Sequence, residues 1–322
     1  MKPDMIGAGL RMAIVSASRL TDYRALTFRF SPGFSLSTPE QAVEYVKERG
    51  FIFFWPVKGF TFPNLWGAVA GDRPVTDGHD DPGHITWHWK DSLLDQRVWY
   101  YARVLRRKNT LISLDVLKYF YALSPNYGEP ELDLLDQYNQ GELPLEAKLI
   151  FEALSKNGPL DTLSLRKEAR LAGINSQSPF NRALDILQAQ LRVLPVAVSE
   201  AGAWKYAFVY DLTHRYYPQL SESARFITEN QAMDYLLRLF FKSLGVASLR
   251  QVIHTFRWDA GLTIKAIERM VQEGYLMKDV KIEGSPEKKI YFNYITRGEE
   301  IFKGDILITS ELGGNIPAEI LI

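Results

Sequence analysis

Leu145-Glu146-Ala147-Lys148-Leu149-Ile150-Phe151-Glu152-Ala153-Leu154-Ser155-Lys156-Asn157-Gly158-Pro159-Leu160 is the stretch whose reading decides the fold. Leu145, Leu149, Ile150, Ala153 and Leu154 recur at helical spacing, so they predict one apolar stripe, and Asn157-Gly158-Pro159 predicts the stop. Ser164 is the expected cap of a short helix burying Leu165, Ala169 and either Leu171 or Ala172, and Gly173 supplies a break. Ser178 is then expected to cap a third helix with Pro179 at its first position. In that helix Ala183, Leu184, Leu187 and Leu191 face inward, leaving Asn181, Arg182, Asp185 and Gln188 outward. Two strands, 192–199 and 204–211, close the unit through the short loop Glu200-Ala201-Gly202-Ala203. Three helices followed by a hairpin is the plan of a winged helix-turn-helix.

The plan recurs from about residue 221 to 295. A long amphipathic helix (228–243) leads through Gly245 to a helix capped by Ser248 and a third helix near 261–273. There Ile264, Ile267 and Val271 are expected in the core, with Thr263, Lys265, Glu268 and Arg269 outward. Strands 275–282 and 290–295 enclose a loop carrying Lys288 and Lys289, which reads as a wing that grips phosphate. The fold class is therefore α+β, with tandem winged helices around a shared cleft. The expected organisation is a tail (1–17), a winged-helix-like domain with an aromatic cleft (18–142), winged helices at 143–220 and 221–295, and an extension (296–322).

Charge and composition limit the function. Lys plus Arg equals Asp plus Glu at 38 each, whereas a dedicated duplex binder normally has a basic excess. Distribution matters more than the sum: Arg97, Arg103, Arg106, Arg107 and Lys108 form a basic run, and Glu129, Glu131, Asp133, Asp136 and Glu142 an acidic one. The chain has no cysteine, which removes disulfides, thiolate metal sites and cysteine nucleophiles and fits a reducing cytoplasm. No apolar run is long enough to span a membrane. Phosphate-cradling, dinucleotide-binding and serine-elbow motifs are also missing, so no cofactor is expected.

In the N-terminal third, Thr38-Pro39-Glu40-Gln41 reads as a capping box opening a helix that turns Ala42, Val43 and Val46 inward and stops at Gly50. Phe51-Ile52-Phe53-Phe54-Trp55 is strongly strand-forming, and Pro56 ends it. The segment His84-Ile85-Thr86-Trp87-His88-Trp89-Lys90 alternates with period two and predicts a strand with His84, Thr86, His88 and Lys90 on one face. Its two histidines would stand about 13 Å apart, too far to share a metal, so no metal site is expected. Five of the seven tryptophans fall between residues 55 and 101; most suit a core, while Trp55, Trp87 and Trp89 are candidates for stacking on bases, with His88 and Lys90 beside them. His214 and His254 stand singly and read as structural.

Leu20-Thr21-x-x-Arg24-Ala25, the helix bearing Val43 and Val46, Gly50-Phe51-Ile52 leading into a strand, and Gly158-Pro159-Leu160 together resemble the AlkZ/YcaQ-type DNA glycosylases. The resemblance spans roughly residues 18–295. It implies tandem winged-helix units around a cleft, double-stranded DNA as partner, and a role in DNA repair through excision of alkylated or cross-linked bases. It also implies a Gln-x-Gln or Gln-x-Asp pair on the strand after Gly50, where this chain carries Phe53 and Trp55. An aromatic ring cannot orient water or stabilise an oxocarbenium-like sugar as an amide or carboxylate does. Residues 296–322 are shorter than the further sheet domain the resemblance implies.

Three readings follow: a DNA-binding protein that keeps the fold without the reaction, a glycosylase using a displaced carboxylate such as Asp91 or Asp95, or a regulator whose wings contact other proteins. For DNA the expected contacts are Arg103, Arg106 and Arg107 in the cleft, Arg182 and Gln188 on one reading helix, Lys265 and Arg269 on the other, and Lys288 and Lys289 on the wing.

Overall fold

The computed structural model describes residues 13–76, 78, 80–202, 205–285 and 291–295. It is an α+β protein in which one order of elements, helix, strand, helix, helix, strand, strand, occurs three times among those residues. The first run is Pro39–Arg49, Phe51–Phe53, Leu65–Ala70, Ile85–Leu93, Tyr100–Ala102 and Thr110–Ile112. The second is Leu145–Asn157, Leu160–Asp161, Thr162–Glu168, Gln177–Ala189, Val193–Ser199 and Ala207–Leu212. The third is Glu229–Leu244, Val246–Ala247, Leu249–Phe256, Ala260–Gln272, Leu276–Ile282 and Tyr291–Tyr294. In every run the last strand lies between the other two and is antiparallel to both.

Local chemistry explains the boundaries. Thr38 accepts from the Gln41 amide at 3.3 Å, but the Gln41 carbonyl reaches back to the Ser37 amide at 2.8 Å, so the expected box closes one residue early. Gly50 ends this helix with φ 80, a conformation glycine adopts without a Cβ clash. Asp161, not Ser164, caps the second helix of the second run, because its carboxylate reaches the amides of both Leu163 and Ser164. The third helix there begins at Gln177, which leaves Pro179 at its third position. Thr228 and Ser248 each close a full capping box, with Gln231 and Gln251.

The segment expected as an alternating strand is helical: a short turn at Pro82–His84 runs into the helix Ile85–Leu93. Asp81 accepts from the Gly83 amide at 2.7 Å and starts the turn. Thr86, Trp89, Lys90 and Leu93 are buried, the i, i+3, i+4, i+7 pattern of a helix with one face inward. In Ala260–Gln272 the buried face is Thr263, Ala266, Ile267 and Met270, while Ile264 is exposed, which turns the helix relative to the expected register. Thr263 tolerates burial because its hydroxyl donates to the Asp259 carbonyl at 2.7 Å.

The first and third runs share one core. Phe51, Phe53, Phe62, Phe120, Phe240 and Phe241 belong to it, and the Tyr119 and Tyr235 rings stack at 3.9 Å between the helices Leu114–Ala122 and Glu229–Leu244. The N-terminal segment joins the third run. Ile14–Val15, expected in a tail, pairs in parallel with Leu276–Ile282, and Arg24 of the helix Ala17–Thr27 donates to the carbonyls of Leu244 and Val246. The second run has its own core around Phe151, Leu165, Phe180 and Leu187.

Lys90 attaches the second run to the first. Its ammonium is buried 2.5 Å from Asp91, donates to the Tyr206 hydroxyl at 2.9 Å and lies 4.4 Å from the Phe208 ring centroid. Burial pulls its pKa down and Asp91 pulls it back up. Tyr206 in turn donates to Asp91 at 3.1 Å.

Candidate nucleic-acid interface

The loop joining the last two strands of the first run carries most of the basic run. Thr110 fixes its base, accepting from the Leu105 amide at 3.2 Å and donating to the Lys108 carbonyl at 2.8 Å. Arg106 and Arg107 both have φ 54, a left-handed conformation that costs a side-chain-bearing residue roughly 1–3 kcal/mol. The Arg106 guanidinium lies 4.6 Å from the Phe60 ring centroid. Across from it stands the helix Leu249–Phe256, whose C-cap Arg257 is also left-handed at φ 59.

Burial first and then Arg257 lower the Arg106 pKa, and Arg106, Arg257 and Arg250 each push the exposed His254 imidazole below its ordinary value, Arg106 most strongly. These are like charges held together. Leu249, Arg250, Ile253, His254, Arg257 and Trp258 line a shallow depression at this point, and none of them is acidic. Trp258 stacks on Phe256 at 4.2 Å, giving the cationic face a flat aromatic floor.

A second groove is lined in part by the end of the same loop, through Lys108 and Asn109. It measures ≈ 380 Å³ and is lined by Phe54, Trp55, Pro56, Val57, Lys58, Trp87, Lys108 and Asn109, again without a carboxylate. Trp87 projects from the helix Ile85–Leu93 with 52% of its surface exposed. Trp55 lies against it with ring centroids 5.7 Å apart, and the His84 ring stacks on Trp55 at 5.6 Å. Trp55 Nε1 and His84 Nε2 are buried with no partner among the described residues.

The model of the family described as AlkZ related matches residues 36–257. This chain belongs to the AlkZ-related family. Among solved structures, the AlkZ-related fold is similar to the Streptomyces sahachiroi DNA glycosylase AlkZ, with a TM-score of 0.53 and 12% identity over 86% of this chain and 69% of that one. A comparison with curated proteins gives no match. At that identity the likeness establishes fold alone.

In this AlkZ-related chain the strand position Phe53 is 1% exposed and packs its ring against Phe60 and Phe62. Trp55 sits beyond the strand, which ends at Phe53, and lines the second groove. Asp91 is tied to Lys90 and Tyr206. Asp95 is exposed in the turn after the helix.

The other expected contacts divide. Arg103 is held by Asp185 at 2.6 Å, and Arg269 by Asp234 at 2.7 Å. Gln188 is not outward: it is 3% exposed and accepts from the Arg103 amide at 3.2 Å, because its helix packs on the loop bearing Arg103. Trp89 and Lys90 are buried, whereas Trp87 and His88 are exposed. Arg106 is half-buried, and Arg107, Arg182 and Lys265 are exposed. Lys288 and Lys289 lie outside the described residues, as do residues 1–12, His79 and 296–322.

Sequence reading missed Arg250 and Arg257 and took His254 as structural. Arg250 and His254 are four residues apart on one helix, which was a usable signal; nothing in the sequence brings Arg106 to them. Among the described residues no group of three or more acidic or histidine side chains is arranged to hold a metal, and no helix is long and apolar enough to cross a membrane.

Proposed function

We propose that this AlkZ-related protein binds double-stranded DNA through the face formed by Arg106, Arg107, Arg250, His254 and Arg257, and that it does so without the excision chemistry the family resemblance implies. The three repeated runs are, in this reading, tandem winged helices. Arg106 and Arg107 stand in the first unit's wing, a loop suited to phosphate contacts. The observation that carries the proposal is the placement of Arg106 over Phe60, whose ring lies 6.2 Å from that of His254 on the helix capped by Arg257, with both arginines on left-handed backbones and no carboxylate in the lining of the adjoining depression. Folding strain and mutual repulsion both oppose that arrangement, and a phosphate between the two groups relieves the repulsion.

Against excision stands the chemistry at Phe53 and Trp55. Hydrolysis of an N-glycosidic bond needs a group that orients water and offsets positive charge on the sugar. Phe53 is sealed in the core, the groove containing Trp55 has no acid in its lining, and Asp91 is committed to Lys90. The test is to incubate the protein with duplex DNA bearing a labile alkylated purine, measuring binding and abasic sites together. The expected result is retention of the duplex with abasic sites at the spontaneous rate. Excision above that rate, abolished by Asp95→Asn, supports the displaced-carboxylate reading and overturns this one.

A further inference from the structure

The groove between Trp55 and Trp87 lies beside the arginine face but differs from it in chemistry. Its walls are an exposed indole, a second indole behind it and the Phe54 ring; its rim carries two ammonium groups, Lys58 and Lys108. The backbone carbonyl of Asn109 accepts from the Phe54 amide at 2.8 Å, which fixes that residue in the wall, and its carboxamide has no side-chain partner among the described residues. Lys108 follows Arg106 by two residues, at most ~7 Å of extended chain. On the opposite side, Val57 and Phe60 pair across the turn that contains Lys58, and Phe60 supports Arg106. The two sites are thus joined through residues 57–60 and 105–108.

We infer that this groove holds one unpaired nucleotide of a DNA strand whose neighbouring phosphates lie on the arginine face, so that the protein prefers duplexes carrying an extruded or bulged base. This rests on the DNA-binding reading above. In an intact duplex both faces of every base are covered by its neighbours, so an exposed indole has nothing to stack on. A base outside the stack presents a bare face to Trp87, and its flanking phosphates fall between Lys58 and Lys108. Asn109 offers a carboxamide donor and acceptor to the base edge. Behind the wall, Trp55 Nε1 and His84 Nε2 are buried with no partner among the described residues, which is uncommon in packed interiors. The lack of a carboxylate in the lining fits a phosphate-bearing occupant and separates this groove from a hydrolytic centre.

The test compares a 20-base-pair duplex with the same duplex carrying one central unpaired nucleotide, by fluorescence anisotropy at fixed salt, following tryptophan quenching in parallel. Wild type is expected to bind the bulged duplex about 10-fold more tightly, in the range that one base-aromatic stack supplies, and to lose tryptophan emission on binding it. Trp87→Ala, an exposed position, and Lys108→Glu are each expected to reduce that ratio toward one and, for Trp87→Ala, to shrink the quench. Arg250→Glu is expected to weaken both duplexes alike. Equal affinity of wild type for the two duplexes overturns this inference and leaves DNA binding standing, as does a preference that survives both groove variants. Binding to neither duplex overturns both readings. A free deoxynucleoside monophosphate that quenches Trp87 and displaces the bulged duplex at micromolar concentration assigns the groove to a free nucleotide and overturns the strand assignment.

Discussion

Arg106 rests its guanidinium 4.6 Å from the centroid of Phe60, whose ring lies 6.2 Å from that of His254 in the third structural unit. That contact is worth about 0.5–1 kcal/mol at an exposed site and holds the side chain in place without neutralising it. Arg103, three residues earlier, is spent on Asp185. One loop therefore supplies both an anchor to the second unit and a free charge for a ligand.

His254 gives this arrangement a pH signature. Arg106 first, then burial, Arg257 and Arg250 hold its pKa below the ordinary 6.5. In the folded protein alone the sign is unfavourable to acid: a depressed histidine costs stability as pH falls below the unfolded value. Phosphate on the arginines removes the cause, raises the His254 pKa and makes binding take up a proton. Duplex affinity is expected to rise as pH drops from 7.5 to 5.5, and His254→Gln should flatten that part of the profile. A profile unchanged by the substitution would place His254 away from the bound phosphates.

Arg107 tests whether backbone strain is retained for a purpose. Its left-handed backbone opposes folding by roughly 1–2 kcal/mol, and glycine relieves this at an entropic cost of about 0.5–1 kcal/mol. Arg107→Gly is expected to raise the unfolding free energy by up to ~1 kcal/mol while weakening duplex binding. Calorimetry and anisotropy on one preparation check both halves.

How far the sequence alone led differs from one element to the next. The helix Leu145–Asn157 and the hairpin after Val193 were legible because apolar spacing and punctuation agreed. The segment 84–90 was not, because polar and apolar residues alternate there by coincidence. Reading three residues further shows Leu93 completing a helical face with Thr86, Trp89 and Lys90, and a buried lysine hides that face from a hydrophobic count. Gln188 looked like a base-reading amide on an outward face; its role is to satisfy the Arg103 amide, a long-range partner that no local pattern encodes. The arginine face was half visible, since the basic run at 103–108 is conspicuous but its companions lie about 150 residues away. The first run was expected only as winged-helix-like, and the residues of its helix Ile85–Leu93 read as a strand from alternation alone.

Lys90 is expected to be the costliest polar residue to remove. Lys90→Ala leaves Asp91 with the Tyr206 hydroxyl but no cation and empties the space among Phe54, Tyr101 and Phe208. Breaking a fully buried pair costs roughly 3–5 kcal/mol; Asp91 is a quarter exposed, so the pair itself costs less and the emptied volume carries most of the loss. Lys90→Met keeps the stem's volume and should lose less than half as much. Equal losses in denaturant melts would show that charge pairing, not packing, joins the second unit to the first.

Phe53 is sealed, so restoring the family's amide there should not restore a reaction. Phe53→Gln buries a carboxamide among Phe60 and Phe62 and is expected to cost ~2 kcal/mol or more. Gln at this position with wild-type stability would mean that water reaches it.

The most direct measurement is the dissociation constant of a 20-base-pair duplex between 50 and 300 mM salt, for wild type and for Arg106→Glu combined with Arg257→Glu. Each phosphate neutralised releases condensed counterions and contributes about −0.9 to the slope of log affinity against log salt. The cationic-face account predicts a clear negative slope for wild type and a slope shallower by about 2 for the double variant, with affinity reduced at every salt concentration. Identical slopes and affinities for the two proteins, or no duplex binding by wild type at 50 mM, would contradict it.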